Sequence, residues 1–168
     1  RDSSAWTHAS PLSGAINTPQ NEGAQQISQD GTWLVYAGCD MRDSYGSCDI
    51  YFSFLDNGIW SARVNAGRAI NTEFWETSPC LSPDKNDLYF ASSRPGGYGG
   101  IDLYVSHRMA NGKWTAAENL GPTVNTSGDE SFPFMHADNE TLYFTSNGWP
   151  GYGGTDIFFS KKTVDGFK

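Results

Sequence analysis

Three aspartates occur at one position of a repeated pattern and could coordinate a metal ion. Asp49, Asp102 and Asp156 each follow a short loop rich in glycine or serine and precede an apolar segment. Calcium binds loops of this kind through about six to eight oxygen atoms. Each loop here supplies one firm carboxylate, so the sequence predicts no metal and no cofactor. We expect each carboxylate to accept hydrogen bonds from loop N–H groups that lack a strand partner.

A second set of repeated acidic residues is the best candidate for a binding site. Glu22, Glu76 and Glu130 are spaced 54 residues apart, just before the first apolar segment of each unit. Loops at the rim of a scaffold often carry its binding surface, so three carboxylates there could bind a cation or a basic peptide. The alternative is that each carboxylate is solvated or caps a turn.

No combination of residues predicts catalysis. His8, His107 and His136 occupy different positions of the repeat, which suggests neither a metal site nor a catalytic triad. The G-x-S-x-G motif of serine hydrolases is absent. A glycosidase needs two placed carboxylates, and the acidic residues here are mostly explained by turns. The sequence therefore predicts no catalytic residue and no enzymatic activity.

These candidates are positioned by a unit of 54 residues that recurs along the chain. Trp6, Trp60 and Trp114 keep this interval. A fixed period of this length indicates one supersecondary unit that is used repeatedly. Three further sets keep the interval: Asn17, Asn71 and Asn125; Asp30, Asp84 and Asp138; and Leu34, Leu88 and Leu142.

The middle unit contains four short segments of strand character. They cover residues 78–81, 87–92 and 102–106, with a fourth that begins at 113–115. The connections are rich in Asp, Asn, Pro and Gly, which favour turns. Four short antiparallel strands with tight turns are typical of a propeller blade. The sequence therefore predicts an all-β fold, a β-propeller segment of about three four-stranded blades.

The repeat also predicts the blade boundaries within a single propeller segment over residues 1–168. We expect residues 1–21 to form the outer strand of a preceding blade, 22–75 and 76–129 to form complete blades, and 130–168 to form an incomplete one. Known propellers close with about four to eight blades. The chain is therefore expected to be a fragment of a longer propeller, or to form a homodimeric ring.

The cysteines bear on the cellular compartment. Cys39 and Cys48 flank a loop at the facing ends of a predicted hairpin, so they could form a disulfide. The alternative is a pair of reduced, buried thiols. Cys80 has no evident partner and is expected to be a small core residue. A disulfide would indicate an oxidising compartment such as the periplasm.

Aromatic residues in the loops offer a second kind of binding surface. Tyr45, Tyr98, Trp149 and Tyr152 lie on or beside the glycine-rich connections. Such side chains could stack on sugar rings, which would make the chain a carbohydrate-binding or carbohydrate-cleaving propeller. Tyr98 and Tyr152 are one period apart, and this spacing also suits plain packing.

Composition excludes two classes of partner. The net charge is −8 and the pI is about 4.6, and nucleic acid attracts basic surfaces instead. No apolar run approaches the roughly 18 residues of a membrane-spanning helix. We therefore expect no nucleic-acid partner and no direct membrane span.

The repeat motifs resemble a known family. Ser82-Pro83-Asp84 precedes the strand segment 88–92, and the loop and strand at 94–104 read RPGGYGGIDLY. The third unit repeats this pattern at 142–146 and 151–158. Over residues 6–167 the chain resembles the PD40 group of WD40-like propeller repeats, also called TolB-like. The first unit departs from the pattern with Ser28-Gln29-Asp30, and the third with His136-Ala137-Asp138.

A narrower resemblance concerns the first unit, which reads YGSCDIY at 45–51 with Cys39 upstream. It is similar to the propeller of OmpA-family envelope lipoproteins, such as PorE-type subunits of the type IX secretion and gliding machinery. This resemblance implies a non-enzymatic protein-interaction scaffold that is periplasmic and associated with the outer membrane. Its partners would be envelope proteins of a peptidoglycan-associated secretion or motility complex, and peptidoglycan would be reached through a domain not in this chain.

Overall fold

The computed structural model describes residues 6–163 and 166–167, and within these residues all regular structure is β-strand. The strands form three antiparallel sheets in which consecutive strands pair with each other. Neighbouring sheets pack face to face through their first strands. This is the architecture of a β-propeller segment, so the predicted fold is confirmed.

Each sheet is one blade. The first blade contains β1 (Asn21–Ile27), β2 (Trp33–Cys39), β3 (Cys48–Asp56), β4 (Ile59–Trp60) and β5 (Val64–Asn65). The second contains β6 (Glu76–Leu81), β7 (Asp87–Ser92), β8 (Asp102–His107) and β9 (Glu118–Asn119). The third contains β10 (Glu130–Met135), β11 (Thr141–Ser146), β12 (Asp156–Thr163) and β13 (Gly166–Phe167).

Short side-chain hydrogen bonds form the turn between the first two strands of a blade. Ser82 Oγ donates to Asp84 Oδ1 at 2.6 Å and accepts from the Asp87 N–H at 2.9 Å. Ser28 and Asp30 make the corresponding contact at 2.6 Å. The serine and aspartate of the repeat motif are therefore turn residues, as their chemistry suggests.

The blades share an irregularity in their first strands. The register shifts once in each of β1, β6 and β10. At each shift one residue has a positive φ: Ala24 at 47°, Ser78 at 49° and Phe132 at 52°. A bulge at the same repeat position in all three blades shows that the repeat fixes backbone geometry as well as side-chain type.

The outermost strands are shorter than predicted. In the second blade Trp114 forms one bridge with Arg108, and only the two residues of β9 pair with β8. Trp6 lies in no strand and is fully exposed. Of the segment 1–21, the described residues 6–20 form no strand, and Gly14 makes a single bridge with Trp60. Residues 1–5 lie outside the described part of the chain.

The core lies between the blades. One cluster joins Val35, Ile50 and Phe52 of the first blade to the second, and another joins the second blade to the third. The Trp114 indole stacks on the Phe52 ring with centroids 5.7 Å apart. Each blade thus uses a neighbour to bury the face that it cannot bury alone. On the second blade the buried positions are Leu81, Leu88, Phe90 and Tyr104 on one face, and Cys80, Tyr89, Leu103 and Val105 on the other.

Candidate functional site: one rim of the blades

The repeated acidic residues of each blade lie at the same end of its sheet. Glu76 pairs with Ser92 and Ser92 pairs with Asp102 in the strand register, so the two acidic residues start the first and third strands of the blade at the same edge. Glu130, Ser146 and Asp156 repeat this arrangement in the third blade. The loops between the second and third strands of the blades lie at this edge, which we call the loop rim.

Asp102 holds the loop that precedes its strand. Its carboxylate accepts hydrogen bonds from the Tyr98 N–H at 2.6 Å and the Gly99 N–H at 3.0 Å, and from Asn119 Nδ2 at 2.9 Å. The carboxylate is buried and its oxygens accept these hydrogen bonds, so it organises the loop. Asp49 accepts from the N–H groups of Tyr45 and Gly46, and Asp156 accepts from those of Tyr152 and Gly153.

The glutamates do not form an open ring of carboxylates. Glu76 is fully buried and accepts from the Thr72 N–H and Thr72 Oγ1, both at 2.7 Å, and from Ser92 Oγ at 2.7 Å. Glu130 is equally buried and is bonded in the same way to Thr126. The prediction that these two bind a cation or peptide is corrected, because their acceptor sites already cap the turn before the strand.

Glu22 has the same turn but fewer partners. It accepts from the Thr18 N–H at 3.1 Å and from the Thr18 hydroxyl, and it is only half-buried. The serine that completes the other two sites is replaced by Gly38. A pocket of about 200 Å³ lies beside Glu22 and is lined in part by Ile16, Asn17 and Tyr36. Of the three glutamates, Glu22 is the one that remains accessible.

Arg94 lies beside Glu76 in the second blade, and its role was not predicted from the sequence. Its guanidinium lies 4.7 Å from the centre of the Tyr104 ring and 3.4 Å from Glu76 Oε1, and it donates to the Ile70 carbonyl. Burial lowers the pKa of Arg94, and the nearby Glu76 charge opposes this shift. Arg94 is the single positive charge in its glycine-rich loop, and this is the sequence feature that could have indicated its role.

Trp149 takes the corresponding role in the third blade. Its indole Nε1 donates to the Val124 carbonyl at 2.9 Å, and the ring packs on the core cluster. Trp149 is therefore largely a structural residue, which corrects its prediction as a sugar-stacking side chain. Tyr45, Tyr98 and Tyr152, by contrast, are exposed.

No role was predicted from the sequence for two asparagines in each connection between blades. Asn71 and Asn125 keep the repeat interval, as do Asn65 and Asn119. Asn125 accepts from the Leu103 N–H at 2.8 Å and donates to the Leu103 carbonyl at 2.9 Å. The connection between blades is thereby fixed to the third strand of the blade that it leaves.

The predicted disulfide is present. Cys39 and Cys48 are bonded across the hairpin of β2 and β3, with Cα atoms 4.0 Å apart. Cys80 is a free, buried thiol, as expected for a core residue. Burial raises the pKa of the Cys80 thiol to about 11.

No three His, Cys, Asp or Glu side chains cluster as metal ligands within residues 6–163 and 166–167. None of these residues belongs to a helix that could cross a bilayer.

Comparison with solved structures supports the fold. A protein of Agrobacterium tumefaciens assigned as TolB matches with a TM-score of 0.59 and 22% identity, covering 90% of this chain and 48% of that one. TolB from Acinetobacter baumannii matches with a TM-score of 0.54 and 16% identity, over 86% and 31% of the two chains. The chain thus spans about half or less of these proteins. No family model and no curated protein matches the sequence.

A third structure corrects one prediction. A puromycin-hydrolyzing peptidase of Mycobacterium tuberculosis matches with a TM-score of 0.57 and 18% identity, over 94% of this chain and 25% of that one. Propeller blades of this type therefore occur within enzymes. The fold and its repeat do not exclude enzymatic activity, so the prediction of no enzymatic activity is wrong.

Proposed function

We propose that this chain is a protein-interaction module of a bacterial cell envelope and that its loop rim contacts the partner. The observation that carries the proposal is the repeated exposure of tyrosine at one rim. Tyr45, Tyr98 and Tyr152 occupy the same loop in three successive blades and are 39%, 50% and fully exposed. Tyrosine is enriched at protein interfaces because it combines a large apolar ring with a hydroxyl group.

The rigidity of the loops supports the same function. Each tyrosine N–H is bonded to the aspartate that begins the next strand, at 2.9 Å for Tyr45 and 2.6 Å for Tyr98. A side chain presented by a fixed backbone loses less conformational entropy on binding. The net charge of −8 favours a partner whose surface is basic.

The disulfide and the resemblance to TolB-like repeats support a periplasmic location. Disulfides persist in the bacterial periplasm and are rare in the cytosol. The finer assignment rests on the resemblance of the first unit to OmpA-family envelope lipoproteins. By that resemblance we propose an outer-membrane-associated scaffold in a peptidoglycan-linked secretion or motility complex, with envelope proteins as partners.

The test is capture of a partner from envelope extract with variants of the rim. The purified chain is immobilised, and retained proteins are identified by mass spectrometry for the wild type and for Tyr98→Ala/Tyr152→Ala. The matched control is Ile59→Ala, because Ile59 is 59% exposed at the opposite end of a blade. We expect a specific protein that the double variant loses and the control keeps. Equal retention by all three proteins would refute the rim as the contact surface.

Carbohydrate recognition is the second candidate function, favoured by the same exposed tyrosines. Rings on a fixed loop can stack on sugars as well as on protein. A glycan array and a peptidoglycan sedimentation assay distinguish the two functions. Saturable glycan binding that Tyr98→Ala/Tyr152→Ala abolishes would favour carbohydrate, and its absence would favour protein.

A further inference from the structure

A groove opens between the first and second blades, at the end of the sheets opposite the loop rim. Its volume is about 330 Å³, at the small end of the range of about 300–1,000 Å³ that is typical of ligand pockets. A space of this size admits a small molecule. Both blades that form the groove belong to this chain, so the groove lies at an internal junction.

Aromatic side chains form the walls of the groove. Trp33 and Phe54 of the first blade meet edge to face, with ring centroids 4.9 Å apart. Trp114 of the second blade stacks on Phe52, and the two ring planes differ by only 2°. Val64 also lines the groove and is 50% exposed. Rings that pack on one another are already ordered, so a ligand that contacts them costs little conformational entropy.

One cation lies in the groove without a carboxylate partner. The guanidinium carbon of Arg108 is 4.6 Å from the centre of the Trp33 ring. None of the ion pairs formed within residues 6–163 and 166–167 involves Arg108. A guanidinium has five N–H donors, and contact with a ring face leaves them available for hydrogen bonds. Arg108 can therefore donate to an anion that enters the groove.

The next junction shows that the repeat pairs this cation with a carboxylate. Lys162 is the equivalent of Arg108 one repeat later, and its Nζ lies 3.0 Å from Asp87 Oδ2. Asp87 stands where Trp33 stands in the first blade. At the junction of the first two blades the cation is thus kept, while an indole replaces the carboxylate that would bind it.

Other positions of the groove differ from the next junction in the same direction. His107 and Glu118 line the equivalent pocket between the second and third blades. Their counterparts by strand register are Phe54 and Val64. The groove therefore offers apolar surface where the other pocket offers titratable side chains.

The polar side chains of the groove favour a ligand that only accepts hydrogen bonds. Arg108 and the indoles of Trp33 and Trp114 are donors alone. Asn65 could accept, but its Oδ1 is already bonded to the Gly67 N–H at 2.8 Å and to the side chain of the connection before the second blade at 2.9 Å. A hydroxyl-rich ligand would leave its donors without these partners, whereas a carboxylate has acceptors only.

We propose that the groove binds a small organic carboxylate with an aromatic body. The carboxylate lies on Arg108 and the ring lies against Trp33 and Trp114. Hydrogen bonds between arginine and a carboxylate are charge-assisted and often bidentate, and aromatic contacts add to the apolar burial. This site lies at the end of the blades opposite the loop rim, so the proposal is independent of the partner proposed there.

The test is a titration of the 168-residue chain with 3-phenylpropionate, followed by the NMR shifts of backbone amides. Saturable shifts are expected at the residues that line the groove, with a Kd of about 1 mM for a ligand of this size. Two matched probes separate the parts of the ligand: 3-phenylpropanamide lacks the charge, and acetate lacks the ring. Each should bind about fivefold more weakly or less tightly still.

Three variants locate the anion site. Arg108→Gln should weaken the binding of 3-phenylpropionate about fivefold or more and leave binding of the amide unchanged. Arg42→Gln is the matched control, because it removes the same charge from an exposed residue outside the groove and should bind as wild type does. Trp33→Asp recreates the carboxylate of the next junction and should abolish binding. Circular dichroism checks that each variant is folded, and Arg108→Gln tests the proposal without any change to the packed rings.

Several results would overturn the proposal. The acid and the amide could bind wild type equally, or Arg108→Gln could bind the acid as wild type does; either would show that Arg108 does not hold the anion. Shifts confined to residues outside the groove, or no saturable shift at about 10 mM acid, would show that the groove is not the site. Tyr98→Ala/Tyr152→Ala should bind the acid normally, which separates this test from that of the loop rim.

Discussion

The side chain of Asn71 forms two hydrogen bonds with the backbone of Ile50. Asn71 Oδ1 accepts from the Ile50 N–H at 2.8 Å, and Asn71 Nδ2 donates to the Ile50 carbonyl at 3.0 Å. Both residues are buried, and Ile50 belongs to the core between the first two blades. The Asn71 side chain therefore supplies the partner of the Ile50 N–H at the edge of β3, and it shares the Ile50 carbonyl with the Ala66 N–H, which donates at 3.0 Å.

Replacement of Asn71 by alanine should destabilise the chain by about 2 kcal/mol. The substitution leaves the buried Ile50 N–H without a partner, whereas the Ile50 carbonyl keeps its hydrogen bond from the Ala66 N–H at 3.0 Å. An unsatisfied buried group costs about 1–3 kcal/mol. Urea denaturation measures the change in the free energy of unfolding. Asn21→Ala, at an exposed position of β1, is the control and should change stability by less than about 0.5 kcal/mol. Equal stability of the two variants would contradict the structural role of Asn71.

Removal of the disulfide between Cys39 and Cys48 should cost about 2–3 kcal/mol. The bond closes a loop with a sequence separation of 9, and short loops gain this much from the restriction of the unfolded chain. The measurement compares thermal unfolding with and without reductant. Cys39→Ser/Cys48→Ser is the control, because reductant should not change its melting temperature. A wild-type protein insensitive to reductant would show that the bond contributes little to stability.

Replacement of Arg94 by alanine should cost about 1–3 kcal/mol. Loss of one partner of a buried ion pair often costs about 3–5 kcal/mol. The smaller value is expected here because Glu130 in the third blade is equally buried and is held by Thr126 and Ser146 without a cation. Chemical denaturation measures the difference, with the exposed Arg42→Ala as the control. A loss above about 5 kcal/mol would show that the neutral contacts cannot hold Glu76.

The architecture was predictable because the repeat is a pattern of residue types. Strand residues, turn residues and the 54-residue interval all indicated blades, and the cysteines at the ends of one hairpin indicated their bond. The buried state of Glu76 was not predictable in the same way. It depends on Thr72, four residues earlier, and on Ser92, sixteen residues later, and only the fold brings these groups to one carboxylate.

The roles of the loop side chains also could not be predicted from the sequence. Trp149 and Tyr152 are both aromatic residues of one glycine-rich loop, yet one packs on the core and the other is fully exposed. The path of the backbone through the loop decides which side chain faces the core, and the composition of the loop does not predict that path.

The Cys80 thiol should resist alkylation in the folded chain. Burial raises its pKa to about 11, whereas an unfolded cysteine has a pKa near 8.5, so at pH 8 the reactive thiolate is roughly 200-fold less abundant in the folded state. Iodoacetamide labelling followed by mass spectrometry should add one label in urea and almost none in buffer. Labelling in buffer at the rate of a model thiol would contradict the burial of Cys80 between the second and third blades.

The stability of the chain should fall in acid partly through Asp87. This carboxylate is bonded to His107 Nδ1 at 2.7 Å and to Lys162 Nζ at 3.0 Å, which links the second blade to the third. Burial raises the pKa of Asp87, but the hydrogen bonds from His107 and Lys162 together outweigh it, so the pKa is lower than usual. A carboxylate whose pKa is depressed by folding stabilises the folded state above its unfolded pKa of about 4. This stabilisation is lost as the pH falls through the folded value.

Asp87→Asn should therefore cost about 1–2 kcal/mol at pH 7, and the difference from wild type should shrink below about pH 4. Urea denaturation at pH 7, 5, 4 and 3 measures this pH dependence. Glu73→Gln is the matched control, since Glu73 is exposed and its substitution should leave the acid limb of the stability curve unchanged. A constant difference between Asp87→Asn and wild type from pH 7 to pH 3 would show that the bridge between the blades does not depend on the ionised carboxylate.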